Sequence, residues 1–378
     1  MRNNILFIEN SLLPSRGGIE KVTYKLSECF TKNKYNCFFA FQYVDYNGIL
    51  EEKKFRFNHS DNKHTYYKKF DAFINKNNIN IIIIQGITQR KLIHTLKKLK
   101  KIYNFQLIYC LHNTPQYIHH LPRPKKGIDL IKISIKTLMY GFIHPYIKEQ
   151  QMIYNLCDNY IVLSKSFIEE AKKEFSFPNI EKINYIGNPL MSNVNGQVDI
   201  KEKKKEVLII ARFDENQKNI IGALNIWKQI ADCKKDWSLI IVGYGEYEDV
   251  YRKYIFENSI SNVKIQGKSE NPDYYYRRAS IFMMTSHYEG LAITLIEALQ
   301  YKCIPIAYNT FSSIHDLIIN NSNGFIIPAY DVKAYINKLL IIMNNPDVRV
   351  NMMNNSSITL SSFTDDNIIN KWMTVLNK

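Results

Sequence analysis

The chain has 378 residues, 46% of them hydrophobic, with 50 Lys and Arg against 35 Asp and Glu, a formal net charge of +15. That supplies apolar material for two domains of ordinary size and excludes global disorder. A cationic excess of this size calls for nucleic acid, an anionic membrane face or a charged small molecule, and the absence of helix-turn-helix, zinc-finger or RNP-type motifs argues against nucleic acid.

Met1–Asn4 runs straight into the strand-like Ile5–Ile8, so no signal peptide is expected, and no apolar run reaches transmembrane length. Further strands are predicted at 37–42, 81–85, 106–111, 160–163 and 183–186. Helices intervene, such as Ile19–Phe30 with Ile19, Val22, Leu26, Cys29 and Phe30 on one face. This alternation predicts parallel sheets covered by helices. Between 125 and 154, Lys125, Lys126, Lys132, Lys136 and Lys148 mix with apolar residues. Such a basic amphipathic stretch either lies on a membrane or packs on the first domain's own sheet.

Turn chemistry at Gly187-Asn188-Pro189 and a lysine-rich polar stretch place a linker at 191–206, after a first domain at 1–190. A second alternation has strands at 207–211, 239–242, 263–266, 281–284, 304–307 and 325–327, giving a second domain over 207–362. The terminal segment 363–378 ends in a helix at 366–376 with Ile369, Trp372, Met373 and Leu376 at helical spacing. The six cysteines are scattered without a C-x-x-C pair, which reads as reduced packing residues in a cytosolic protein.

The most informative stretch is Thr285–Leu299, where Glu289 and Glu297 stand eight positions apart on either side of apolar residues. A helix beginning near Gly290, with Leu291, Ala292, Ile293, Leu295, Ile296, Ala298 and Leu299, is apolar all round and therefore buried. Glu297 then needs hydrogen-bond donors. Such a helix sets the two carboxylates roughly 12 Å apart, with free backbone N–H groups between them. A nucleotide sugar has the matching order of parts: sugar hydroxyls, diphosphate, ribose hydroxyls. Arg212 directly follows the predicted strand 207–211 and Lys218 comes six positions on, two cations able to meet charge on a leaving diphosphate. Gly17-Gly18 precede the first helix, His112 ends the strand at 106–111, and Gly243 stands in Val242-Gly243-Tyr244-Gly245.

These segments resemble the retaining glycosyltransferases of the large GT-B family that builds bacterial surface polysaccharides, sucrose and glycogen-type products. Glu289…Glu297 is similar to its E-x7-E signature, and Arg212…Lys218 to its Arg…Lys pair. Val242–Gly245 is similar to its V-G-x-G turn, and Pro14–Glu20 to its P-x-x-G-G-x-E loop. The resemblance implies two facing Rossmann-like domains with an interdomain cleft and a C-terminal crossover helix. It implies catalysis by Arg212, Lys218, Glu289 and His112. Donor binding falls to Gly17, Gly18, Gly243, Gly290, Leu291, Ala292 and Glu297. The donor would be a UDP- or GDP-sugar and the acceptor a glycan or lipid-linked sugar. No cofactor is implied, and no metal, since a D-x-D motif is absent. A cytosolic enzyme with peripheral contact to an anionic membrane fits the charge.

Two positions depart from the family pattern. Asn219 replaces a usual glycine and tolerates left-handed backbone. Lys302 replaces another, and costs about 1 kcal/mol if it must be left-handed. A sugar-nucleotide epimerase of the same fold would need a carboxylate and histidine set for proton abstraction, which the sequence does not display. A non-catalytic binder of anionic lipid or nucleic acid would leave Arg212, Lys218, Glu289 and Glu297 in register by coincidence.

Overall fold

A computed structural model describes residues 3–15, 17–120, 144–191, 194 and 198–377. Lys125, Lys126, Lys132 and Lys136 of the basic stretch lie outside the described residues. The chain divides into two units, Met1–Pro189 with Asp365–Lys378, and Leu190–Thr364.

In the first unit the described strands are β1 (Asn4–Glu9), β2 (Asn36–Phe41), β3 (Lys54–Arg56), β4 (Ile81–Gln85), β5 (Gln106–Leu111), β6 (Asn159–Val162) and β7 (Ile183–Tyr185). All described pairings are parallel, in the order β3-β2-β1-β4-β5-β6-β7. The isoleucine run of β4 is buried at every residue, as a strand covered by helices on both faces requires. Strand β3 was not expected; three residues starting with a lysine carry no alternation to read. The helix Asp365–Leu376 packs in this unit. Trp372 meets Phe30 edge-on at 5.6 Å, Lys25 pairs with Asp365 at 2.9 Å, and Gln106 donates to the Val375 carbonyl.

In the second unit the strands are β8 (Lys204–Arg212), β9 (Ser238–Tyr244), β10 (Val263–Gly267), β11 (Ala279–Met284), β12 (Ile304–Tyr308) and β13 (Phe325–Ile327). Their order is β10-β9-β8-β11-β12-β13, again parallel in every described pair. Strand β8 starts three residues ahead of the sequence expectation. Lys204 pairs with Ala279 and Glu206 with Ser238, so sheet pairing captures the end of the lysine-rich stretch. Among the described residues, no helix is long and apolar enough to cross a membrane.

In each sheet the chain reverses its direction of travel once, between β1 and β4 in the first unit and between β8 and β11 in the second. Open α/β sheets bind ligands outside the carboxyl ends of their strands at this reversal. The residues that leave β8 and β11 are Arg212–Lys218 and Thr285–Glu289.

Candidate active site

In the second unit these two exits converge. Arg212 is the last residue of β8, and its side chain is 64% exposed. A four-residue helix, Glu215–Lys218, turns Lys218 toward the exit of β11. There Lys218 Nζ lies 2.6 Å from Glu289 Oε1, with both side chains largely shielded. Gln217 joins the two sides: its Oε1 accepts from Arg212 Nη2 at 3.2 Å, and its Nε2 donates to Glu289 Oε2 at 3.3 Å. The His287 N–H donates to the Gln217 carbonyl at 2.8 Å, stitching the loops together. Arg212, Lys218 and Glu289 thus form one hydrogen-bonded group at the mouth of the sheet.

Helix Ile293–Gln300 begins three residues later than expected. Ala292 is extended (φ −66°, ψ 94°), and the Gly290 carbonyl accepts from buried Ser313, which holds 290–292 out of helical geometry. The sequence-derived spacing of about 12 Å, built on helical rise, therefore does not apply to Glu289, which sits in the loop. The helix is buried as expected, and its N-cap residue, Ala292, makes no side-chain cap. By contrast, Glu215 oxygens accept from the Ile220 and Ile221 N–H groups at the next helix, Ile220–Lys228. At the Ile293 end the Leu295 and Ile296 N–H groups donate to the Ala292 carbonyl, which leaves those of Ile293 and Thr294 as the ones an anion could meet.

Glu297 is 5% exposed, and its Oε2 accepts from the Tyr276 hydroxyl at 3.0 Å. Tyr276 stacks on Tyr301 at 5.6 Å. Half-buried Lys203 fixes its backbone, donating to the Tyr276 and Ala279 carbonyls at 2.7 and 2.9 Å. Burial pushes the Lys203 ammonium down and the Tyr276 hydroxyl up, so tyrosine is the donor to the carboxylate.

The glycine turn has a packing cause. Gly243, next to last in β9, has φ +154°, and a side chain there would start 1.8 Å from the Ala211 carbonyl oxygen; at Gly245 it would meet Phe213 backbone at 2.4 Å. These glycines let β9 lie against the exit of β8, so Gly243 supports the position of Arg212. Asn219 and Lys302 both adopt left-handed backbone, φ 50° and 56°. Asn219 also caps helix Ile220–Lys228 through Gly222 N.

In the first unit, Gly17 is the extended N-cap of helix Gly18–Lys32, and Glu20 folds back over it. A side chain at Gly17 would begin 2.7 Å from Glu20 Oε2. The anion at this helix start is the chain's own. Glu9, ending β1 and 2% exposed, is pushed well above the usual carboxylate range by burial and by Glu20. His112 follows β5 and touches Gln85 Oε1. Burial pushes its imidazole down to about 4, which leaves it uncharged at neutral pH. At the β1–β4 reversal an open pocket of about 510 Å³ is lined by Asn10, Gly86, Thr88, Gln89, Arg90 and Glu149, among others. Gly86, at φ +74°, lies between His112 and Ile19.

Residues 191–358 match the family described as "Glycosyl transferases group 1". Those residues form a glycosyltransferase domain of group 1. The chain is 27% identical over 251 residues to the amylovoran biosynthesis glycosyltransferase AmsD of Erwinia amylovora, covering 65% of this chain and 68% of that protein. It is 24% identical over 255 residues to a GalNAc-alpha-(1->4)-GalNAc-alpha-(1->3)-diNAcBac-PP-undecaprenol alpha-1,4-N-acetyl-D-galactosaminyltransferase of Campylobacter jejuni, covering 65% and 69%. The fold matches the pneumococcal O-GlcNAc transferase GtfA, crystallised with UDP and GlcNAc. The TM-score is 0.76 at 13% identity over 100% of this chain and 99% of that one.

Three residues of this glycosyltransferase escaped the sequence reading. Gln217 lies between Arg212 and Lys218, yet nothing in the sequence says which way its amide points. Tyr276 sits on helix Pro272–Arg278 among other tyrosines, and Lys203 sits in a run of lysines. Only the fold brings these two to the Glu297 side. Gly290, Leu291 and Ala292 form the loop before the helix rather than its first turn.

Proposed function

We propose that this glycosyltransferase moves a sugar, with retention of configuration, from a nucleotide-diphosphate sugar to a glycan or lipid-linked acceptor in surface-polysaccharide assembly. The observation that carries this reading is the convergence of Arg212, Lys218 and Glu289 ahead of the uncapped helix that bears Glu297. A diphosphate placed at that helix start meets backbone N–H groups and two cations. Both become more valuable as charge grows on the leaving group. Glu289 then accepts from hydroxyls of the transferred sugar, and Glu297, oriented by Tyr276, from the ribose. Lys218 exchanges the Glu289 carboxylate for a phosphate oxygen when the donor arrives.

A UDP- or GDP-sugar is the proposed donor, in keeping with the UDP held by the pneumococcal transferase. The names of the Erwinia and Campylobacter relatives support a polysaccharide or lipid-diphosphate acceptor. With Arg212 and Lys218 as the cations, transfer is proposed to run without a metal. In the first unit, Glu20 at the Gly17-Gly18 turn disfavours a diphosphate, so this end suits acceptor hydroxyls, while neutral His112 can hydrogen-bond to a sugar. The net charge of +15 supports work at the cytosolic face of an anionic membrane.

A thermal-shift screen over UDP, GDP, ADP and their sugars identifies the donor, since a ligand stabilises according to its affinity. Nucleotide release from that donor is then followed with and without acceptor, and with EDTA. The reading expects release that rises with acceptor and survives the chelator. Loss of activity in EDTA, restored by Mg²⁺ or Mn²⁺, would overturn the metal-free step. Wild-type protein that stays in the supernatant with anionic vesicles at low salt would overturn membrane contact.

A further inference from the structure

We infer that Gln217 is a positioning residue for transfer, holding Arg212 and Glu289 in one fixed arrangement before the donor arrives. The inference rests on the proposed roles of those two residues. Its basis is geometric. A single primary amide uses its acceptor on the Arg212 guanidinium at 3.2 Å and its donors on Glu289 Oε2 at 3.3 Å and the Tyr288 carbonyl at 3.4 Å.

Each contact removes a freedom the site would otherwise have. Lys218 holds Glu289 through Oε1 alone, and one contact leaves a carboxylate free to rotate. The amide on Oε2 fixes the plane, so the oxygen that faces a sugar hydroxyl is set in advance. Arg212 is largely exposed, and its other contact here is Asp214 Oδ2 at 3.3 Å, an acidic partner two residues away. Without Gln217 the guanidinium would follow Asp214 alone. Glutamine suits this place because it is neutral and bifunctional. A carboxylate would serve Arg212 but repel Glu289, and a cation would do the reverse. The Gln217 backbone is held independently by His287 N–H at 2.8 Å, so the side chain can be changed while the loop stays.

Preorganisation of this kind acts mainly on turnover, because it aligns groups for the transition state and adds no contact to the bound donor. The test compares wild type with Gln217→Met, which keeps length and loses all three hydrogen bonds, and Gln217→Glu, which keeps the Arg212 contact alone. With the donor found by the screen, kcat in Gln217→Met falls about 10- to 100-fold. The donor KM moves less than about threefold, and the melting temperature is unchanged. Gln217→Glu falls at least as far, since its carboxylate faces Glu289. Wild-type kcat in Gln217→Met would overturn the inference, as would a loss that follows a lowered melting temperature or an equal rise in KM. Failure of wild type itself to turn over any nucleotide sugar would instead overturn the functional reading beneath it.

Discussion

The two sheets reverse direction at equivalent places, yet the chemistry at the two reversals is opposite. At the exits of β8 and β11, charge is displayed: an exposed guanidinium, a Lys218–Glu289 pair, and a helix start without a side-chain cap. At the exits of β1, β4 and β5, charge is withdrawn. His112 is neutral, Glu9 is pushed toward its protonated form, and Glu20 covers its own helix start. The cations in the nearby pocket are engaged by the fold, Arg90 with Glu149 at 3.5 Å and Lys91 with the His59 carbonyl at 2.9 Å. The same topology therefore displays charge at one reversal and withdraws it at the other; on the proposed reading the first takes a diphosphate and the second uncharged hydroxyls. Topology fixes where a ligand sits, and the local charges decide which ligand.

The comparison breaks most easily at Lys218. Lys218→Ala leaves Glu289 without its closest cation and removes positive charge from the proposed leaving group. Turnover is expected to fall by about 10²–10³-fold, with a smaller change in donor affinity. Steady-state kinetics beside calorimetric donor binding checks this. Equal losses in both would reduce Lys218 to a ground-state contact.

The first unit is tested through pH. The folded-state pKa of Glu9 is raised above its ordinary value of 4.5, so its contribution to stability is full below that pH and fades as pH rises. Glu9→Gln removes this dependence. Its melting temperature relative to wild type is expected to climb by about 2–4 °C or more between pH 4.5 and 7.5. His112, depressed to about 4, acts in the opposite sense, losing stability as pH falls from 6.5 toward 4. It does so in both proteins and cancels from the difference. A flat difference would show that Glu9 ionises freely and that the charge contrast between the two ends is smaller than described.

The smallest expected effect is local. Lys302 holds φ 56° after helix Ile293–Gln300, and Lys302→Gly should raise stability by up to about 1 kcal/mol in denaturant melts. A loss would mean that the lysine side chain makes a compensating contact.

Much of the fold was legible because parallel strands buried on both faces read as short apolar runs; Ile81–Gln85 is the clearest. The left-handed positions Asn219 and Lys302 were legible as replacements for glycine. Three kinds of information were not. The start of helix Ile293–Gln300 depends on Ser313 gripping the Gly290 carbonyl, a contact 23 residues distant in sequence. The start of β8 depends on pairing partners at Ser238 and Ala279. The roles of Gln217 and Tyr276 depend on side-chain direction, which periodicity cannot supply. The local reasons for two glycines were also not legible: Gly243 makes room for the β8 exit, and Glu20 folds back over Gly17.

The most direct measurement is calorimetric titration of UDP and GDP into wild type, Glu297→Gln and Glu9→Gln at pH 7.5. If the second unit holds the nucleotide, one diphosphate binds wild type, and Glu297→Gln weakens it by about 1–3 kcal/mol with the fold intact. Glu9→Gln should bind as wild type does. Equal affinity in wild type and Glu297→Gln, or a loss confined to Glu9→Gln, would contradict the account and place the nucleotide elsewhere.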